Sequence, residues 1–418
     1  MLTDAEREIE LLFKRESGRL IAVLTRILGP KNLELAEDVV QESFVAALHT
    51  WEKDGVPENA SAWLLTTARN RAVDAIRRER TRRTFAPDLA MYLDSEWTLS
   101  RTVEEAFRED WVKDDQLRMI FMCCAPAIAP ENRLPLILKT LCGLSVAAIA
   151  RGLLTTESTI NKRLYRTRKA LADAEFRLPT AEELPHALRT VHTILYLIFN
   201  EGYFSTTDRP IRDELCRDAI GLTRLLVDEP SASNSETVAL LAVMTFSLAR
   251  LPARLDSEGR WIPLDRQDRS LWSQELISAG YTWLHRSSNM EAVRASRFHL
   301  EAAIAARHCS APSFEETDWA SICNLYDRLL DLAPSAMTRL NRAVAISYRS
   351  GPGEAIPLVE ELRMSGELPH SHVVAAALAH LYARADRPEE AEQWLETALA
   401  HVTSEHERRL IERQVRRD

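Results

Sequence analysis

Glycine and proline are scarce, 12 and 18 of 418 residues, which excludes a collagen-like repeat and a proline-rich disordered chain. Alternating β-branched runs bounded by turn pairs are scarce too, so little sheet is expected. No stretch approaches 18 uncharged apolar residues, which argues against a membrane-spanning helix. The opening MLTDAEREIE is acidic and polar, unlike a secretory signal, and a cytoplasmic location is expected. Only six cysteines occur, at 123, 124, 142, 216, 309 and 323, with no CxxC. Structural zinc spacing is therefore missing. Their neighbours are apolar (IFMCCAP, LKTLCGL), which suits reduced, buried thiols. HExxH, GxSxG, Walker and GxGxxG patterns are absent. Glu201, Asp265 and Asp268 read as turn-fixing and ion-pairing groups. No metal, cofactor or enzymatic activity is expected.

What is present is charge, unevenly placed. The chain has 53 basic and 62 acidic residues, a net of -9. Two short stripes oppose that average. Thr66 to Arg83 holds seven arginines against two acids, and Thr159 to Lys169 holds five bases and no acid. Between them, Asp88 to Asp115 holds nine acids against three bases. Local field decides what binds, so the stripes outweigh the total. Lysine does not occur beyond Lys169.

Helical spacing runs through nearly the whole chain, and the fold is read as all-α. Leu20, Val23, Leu24, Ile27 and Leu28 form one stripe, stopped by Gly29-Pro30. Leu35, Val39, Phe44, Ala47 and Leu48 form a second, broken at Asp54-Gly55 and Pro57. Ser61 is the expected N-cap of a third helix, AWLLTTARNRAVDAIRRER. Its arginines can hold a nucleic-acid backbone, while Trp51 and Trp63 either stack bases or fill core. Asn59 or Ser61 is positioned to line a pocket for an unstacked base.

The sharpest signal is SVAAIARGLLTTESTINKRLYRTRKAL. Ser145 caps a short helix with Ile149 and Ala150 inward, and Leu153 fills the centre. Thr156 caps the next helix, whose Ile160 and Leu164 form an i, i+4 apolar pair. Its exposed side carries Glu157, Ser158, Asn161, Lys162, Arg163, Arg166 and Lys169. A helix so presented fits a major groove, with bases on phosphates and Asn or Arg on base edges. Leu154 stands where this turn commonly has glycine. Farther on, Leu378, Ala379, Tyr382, Ala391, Leu395 and Ala398 have the small/large spacing of a tetratricopeptide-type helix pair. A weaker copy is centred on Ala355, 36 residues before Ala391.

With these motifs in hand, the chain resembles the extracytoplasmic-function group of bacterial RNA polymerase sigma factors. The likeness rests on AEDVVQESFVAAL at 36–48, AWLLTTARNRAVDAIRRER at 62–80 and LSVAAIARGLLTTESTINKRLYRTRKAL at 144–171. Segments such as YLIFNEGYFST at 196–206 and TDWASICNLYDRLLDLAPS at 317–335 resemble the long subfamily with a tetratricopeptide-like extension. The resemblance implies a sigma-2 domain at 1–84, an acidic linker at 85–109 and a sigma-4 domain at 110–175. A helical extension then covers 181–418, with repeats near 336–400. It places Glu37, Asp38, Gln41, Glu42 and Phe44 on the helix that docks core polymerase, Phe44 as anchor or core. Trp63, Arg69, Asn70, Asp74, Arg77 and Arg78 fall in the −10 region, beside the candidate pocket residues Asn59 and Ser61. Thr156, Ser158, Thr159, Asn161, Lys162, Arg163, Arg166 and Arg168 fall in the −35 reader. The implied partners are core polymerase and promoter DNA, with no membrane. The extension is expected to regulate or support the factor, through a protein partner or an intramolecular contact. The competing reading is an operator-binding helix-turn-helix regulator with a repeat sensor domain. It leaves the docking helix and the arginine-tryptophan unit unexplained.

Overall fold

The computed structural model describes residues 4–80, 109–153, 155–171, 176–204, 211–290, 295–368, 372–402 and 404–416. Among these the chain is all-α, and its one β-type pairing is an isolated bridge between Leu255 and Trp261. Two compact units are formed, Met1–Ile198 and Phe199–Asp418. The division falls inside a helix, later than the change of domain expected near 175–181.

The first unit opens with α1 (Asp4–Leu28), α2 (Leu33–Asp54) and α3 (Ala60–Arg80). Leu20, Val23, Leu24 and Ile27 of α1 are almost fully buried. Gly29, at φ 84°, ends that helix in a conformation side chains rarely adopt. Along α2 the buried face runs Ala36, Val39, Val40, Ser43, Phe44, Ala47 and Trp51, an i, i+3, i+4 stripe. The third helix contributes Leu64, Ala68, Ala72 and Ile76. Each large apolar side chain so buried contributes about 1.5–3 kcal/mol before entropy is counted.

The unit continues with α4 (Glu109–Cys123), α5 (Pro130–Thr140), α6 (Val146–Gly152), α7 (Glu157–Leu171) and the start of α8 (Leu184–Tyr203). Cys123, Cys124 and Cys142 are buried, and burial pushes the Cys123 thiol up to about 12. Of the expected 85–109 linker, all but Glu109 lies outside the described residues, as does Leu154.

The second unit comprises the end of α8 with α9 (Asp213–Asp228), α10 (Ser235–Ala249), α11 (Gln274–Ser288), α12 (Arg297–Ser310) and α13 (Trp319–Leu332). Two helix pairs follow: α14 (Ala336–Ser350) with α15 (Pro352–Ser365), and α16 (His372–Arg384) with α17 (Pro388–His401). The last helix is α18 (Glu405–Arg416). The residues read as a repeat share one core, with Ala355, Leu378, Ala379, Leu395 and Ala398 fully buried. Small residues there let the paired helices approach closely. No uncharged apolar run of 18 residues occurs, as expected, but one segment meets the looser test of length and mean apolar character for a membrane span. The segment Ser235–Ala253 passes by length and composition, although 67% of it is buried inside the protein. Val238 through Met244 are nearly all buried, as a core helix requires.

Candidate nucleic-acid and polymerase interface

The helix-turn-helix is held by the groups its sequence indicates. Ser145 Oγ accepts from the Ala148 N–H at 3.1 Å. Thr156 Oγ1 accepts from the Thr159 N–H at 3.2 Å and pairs with Thr159 Oγ1 at 2.9 Å. Each cap satisfies an orphan donor of its helix. Ile149, Ala150, Ile160 and Leu164 are buried, so α7 is fixed with its other face outward. On that face Thr156, Ser158, Asn161, Lys162, Arg166 and Lys169 are exposed, and Thr159 and Arg163 are half-buried. Tyr165, unmarked by the sequence reading, is 69% exposed among them. A large apolar ring left in water on a basic face was the signal that could have found it.

The arginine-rich α3 differs in detail from expectation. Asn59, not Ser61, caps it, its Oδ1 accepting from the Ala62 N–H at 3.0 Å. Ser61 lies within the first turn and donates to Glu16 at 3.4 Å. The helix therefore begins at Ala60, earlier than a cap at Ser61 would allow. Trp63 is half-buried and packs edge-on against buried Trp51, at 5.4 Å between centroids. Arg69 is half-buried, while Asn70 and Arg77 are exposed; Arg77 lies 3.5 Å from Asp74. Arg71 bonds Glu42 at 2.8 Å. The side chain of Arg78 lies outside the described residues.

The acidic helix α2 presents Asp38, Gln41 and Glu42 to solvent. Phe44 is core: 5% exposed, it meets Phe13 edge-on at 4.9 Å. Glu37 is also buried, at 4%. Its partner is Arg168 of α7, which hydrogen-bonds Glu37 and lies 3.5 Å from Glu34. Burial raises the Glu37 carboxyl above its ordinary range, although Arg168 and Lys139 act to lower it.

Further contacts join the two halves of this unit. Asp115, at the end of the acidic run, is fully buried between Arg26 and Arg118, each at 2.8 Å. Burial raises its carboxyl too, against both arginines. Gly18 of α1 sits against the backbone of Leu141. A Cβ there would fall 2.9 Å from the Leu141 Cα and carbonyl carbon, and closer still to the carbonyl oxygen. Gly143, at φ 65°, faces Ser17 in the same way: a Cβ on it would fall 2.6 Å from Ser17 Oγ. The second half of this unit is thus packed on α1 and α2, with one nominal DNA-reading arginine, Arg168 of α7, turned into that contact.

Comparison with known proteins matches residues 12–82 to sigma-70 region 2 and 118–171 to sigma-70 region 4. Residues 187–288 match a family of unknown function, DUF6596. An uncharacterized protein of Rhizobium meliloti is 38% identical over 344 residues, 80% of this chain and 79% of its own. A probable ECF RNA polymerase sigma factor, SigI, of Mycobacterium tuberculosis is 26% identical over 166 residues, 40% of this chain and 55% of its own. No solved structure matches. Capped helix-turn-helix, basic helix and acidic helix coincide with the two matched regions. The chain belongs to the extracytoplasmic-function sigma-70 factors, here with a helical C-terminal extension: non-enzymatic proteins that bind core RNA polymerase and promoter DNA to direct transcription initiation.

Proposed function

We propose a division of labour among the named residues. Asp38, Gln41 and Glu42 form the exposed acidic face that meets core polymerase. Trp63, Arg69, Asn70, Arg77 and Arg78 hold the opened −10 strand, with Asn59 and Ser61 at the start of their helix. Thr156, Ser158, Thr159, Asn161, Lys162, Arg163 and Arg166 read the −35 duplex. The factor acts in the cytoplasm. The sigma-2 module covers 1–84 and the sigma-4 module 110–175, and the region 181–418 regulates or supports them.

The observation that carries most of this reading is the Glu37–Arg168 bridge. It supports a resting state in which the two modules are closed on each other. Arg168 cannot reach a phosphate while it bonds Glu37, and Glu37 cannot reach polymerase while buried. Binding to polymerase then selects the separated arrangement, and must supply the free energy of parting them. The test is run-off transcription with purified core polymerase and a promoter library. Full-length protein should yield factor-dependent transcripts. Glu42→Arg should lose polymerase association, and Asn161→Ala with Arg166→Ala should retain association but lose −35 dependence. A protein that neither associates with core polymerase nor yields a promoter-specific transcript would favour the operator-binding regulator instead.

A further inference from the structure

The second unit holds a cavity of about 370 Å³, of the size that takes a small molecule or one large side chain. Its wall is built by repetition. Helix α14 contributes positions 340, 341, 344, 345 and 348, and α16 contributes 372, 373, 376, 377 and 380. Both sets follow i, i+1, i+4, i+5, i+8, so equivalent faces of successive helix pairs line one hollow. The final helix α18 closes one side through Glu407, Leu410, Ile411 and Gln414.

The chemistry of the lining is selective. Trp319 stacks on Tyr348 at 4.6 Å, and Phe314 meets both rings edge-on at 5.2 and 4.9 Å. Two carboxylates line the cavity, Asp265 and Glu407, and no lysine or arginine does among the described residues. The neighbouring arginines lie behind the lining residues: Arg269 donates to the His308 carbonyl at 2.7 Å, and Arg384 sits over Tyr348. Arg384 lies 4.0 Å from the Tyr348 ring centroid and donates to Ser347 Oγ at 2.6 Å. Three histidines also line the cavity. His308 is kept neutral by burial beside Arg250 and Arg269, its pKa pushed down to about 3. His380 pairs with the Tyr348 hydroxyl at 3.0 Å, and His372 with Glu407 at 2.7 Å. His308 Nδ1 is buried with no hydrogen-bond partner, a polar group that the fold itself leaves unsatisfied.

Aromatic rings carry negative faces, and carboxylates at the lining add to that field. An anion entering would be repelled and would leave its charge unpaired. We propose that this cavity binds an organic cation, an ammonium or guanidinium carried on an apolar stem, with Asp265 and Glu407 facing the charge and the aromatic cluster around Trp319 taking the stem. The cation comes either as a free amine or as a lysine or arginine side chain of a peptide. Bound there, it links α14, α16 and α18, so occupancy stiffens the repeat region as a unit.

Calorimetry and tryptophan fluorescence of the full-length protein test this without polymerase or DNA. The probes are 4-phenylbutylamine, 4-phenylbutanol and 4-phenylbutyrate for the free source, and acetyl-Phe-Ala-Arg-amide for the peptide source. The amine, the peptide or both should bind saturably at one site, with the cation at least tenfold tighter than the carboxylate. Binding by the amine alone assigns the free source, and binding by the peptide alone assigns the peptide. Asp265→Asn combined with Glu407→Gln should weaken the cation about fivefold or more and leave the alcohol unchanged. Ala376→Phe should block all probes by filling the cavity. Should that variant melt early, the carboxylate pair decides alone. The proposal fails if no cation binds at millimolar concentration, if the carboxylate binds as well as the amine, or if the carboxylate variants bind cations like the parent.

Discussion

Replacing Arg168 by alanine should open the first unit. The side chain of Arg168 is a quarter exposed and that of Glu37 is almost wholly buried, so the substitution strands the more deeply buried charge. A unit pair at contact distance is worth about 4 kcal/mol at an effective dielectric near 20. Removing one partner of a buried pair costs about 3–5 kcal/mol. Separation of the modules lets Glu37 hydrate, which limits the penalty that the closed state can accumulate. An effect of about 2–3 kcal/mol follows, a shift of roughly 30- to 140-fold in the ratio of closed to open chains. Single-molecule energy transfer between dyes at Glu52 and Lys162, both exposed, reads that ratio directly. The complementary change, Glu37→Gln, should behave differently. Burial raises the Glu37 carboxyl above its ordinary value despite Arg168, so the closed form already bears a desolvation cost that a neutral amide lowers. Closure should hold or strengthen. The pH sign agrees: the closed form binds the Glu37 proton more tightly than the open form. Acidification through the raised pKa therefore favours closure, and pH rising through that same pKa favours opening. If Arg168→Ala leaves the transfer distribution unchanged, the bridge does not hold the modules together and the reasoning is wrong.

Gly18→Ala tests the same contact by shape rather than charge. Its Cβ would collide with the Leu141 carbonyl group, so the open population should rise even with the ion pair intact, as scattering or the same dye pair would show. Leu164→Ala removes a 3%-exposed side chain from under α7 and should cost about 2–5 kcal/mol; denaturant titration should show it, with −35-dependent transcription lost at moderate temperature. Burial holds His192 down to about 4 and, with Arg250 and Arg269, His308 down to about 3, against 6.5. The unfolded chain takes up protons that these folded sites refuse, so their stability contribution is complete above pH 6.5 and lost as pH falls toward 4 and then 3; urea midpoints at about pH 7.5, 6 and 5 should fall in that order.

The helices and the DNA-reading motif were legible because their determinants are local. Ser145, Thr156, Ile160 and Leu164 act within one or two turns, where spacing alone decides who caps and who packs. The limits of that local reading appear at Asn59 and Ser61. Both are good caps two residues apart, and the choice fell to Asn59 because its carbonyl side chain reaches Ala62. Phe44 could be anchor or core from its spacing. Phe13, which settles it as core, is 31 residues earlier on another helix.

Charge was the least legible feature, for a physical reason. Arginine and glutamate serve equally to meet a partner, to face water and to bind each other, and a local pattern scores all three alike. Asp115 closed the acidic run between the two basic stripes, yet it is buried because Arg26, 89 residues away, and Arg118 enclose it. Arg168 completed a basic face that reads as DNA-binding, yet it bonds a carboxylate 131 residues away. Neither partner is visible without the tertiary fold. The same ambiguity has a functional consequence. A chain whose DNA-facing and polymerase-facing surfaces carry opposite charge is complementary to itself, so closing those surfaces on one another requires no additional residue. On the proposed assignment, polymerase and promoter each compete with the closed contact for the groups it pairs, Glu37 and Arg168, and a mutation of either should alter closure as well as binding.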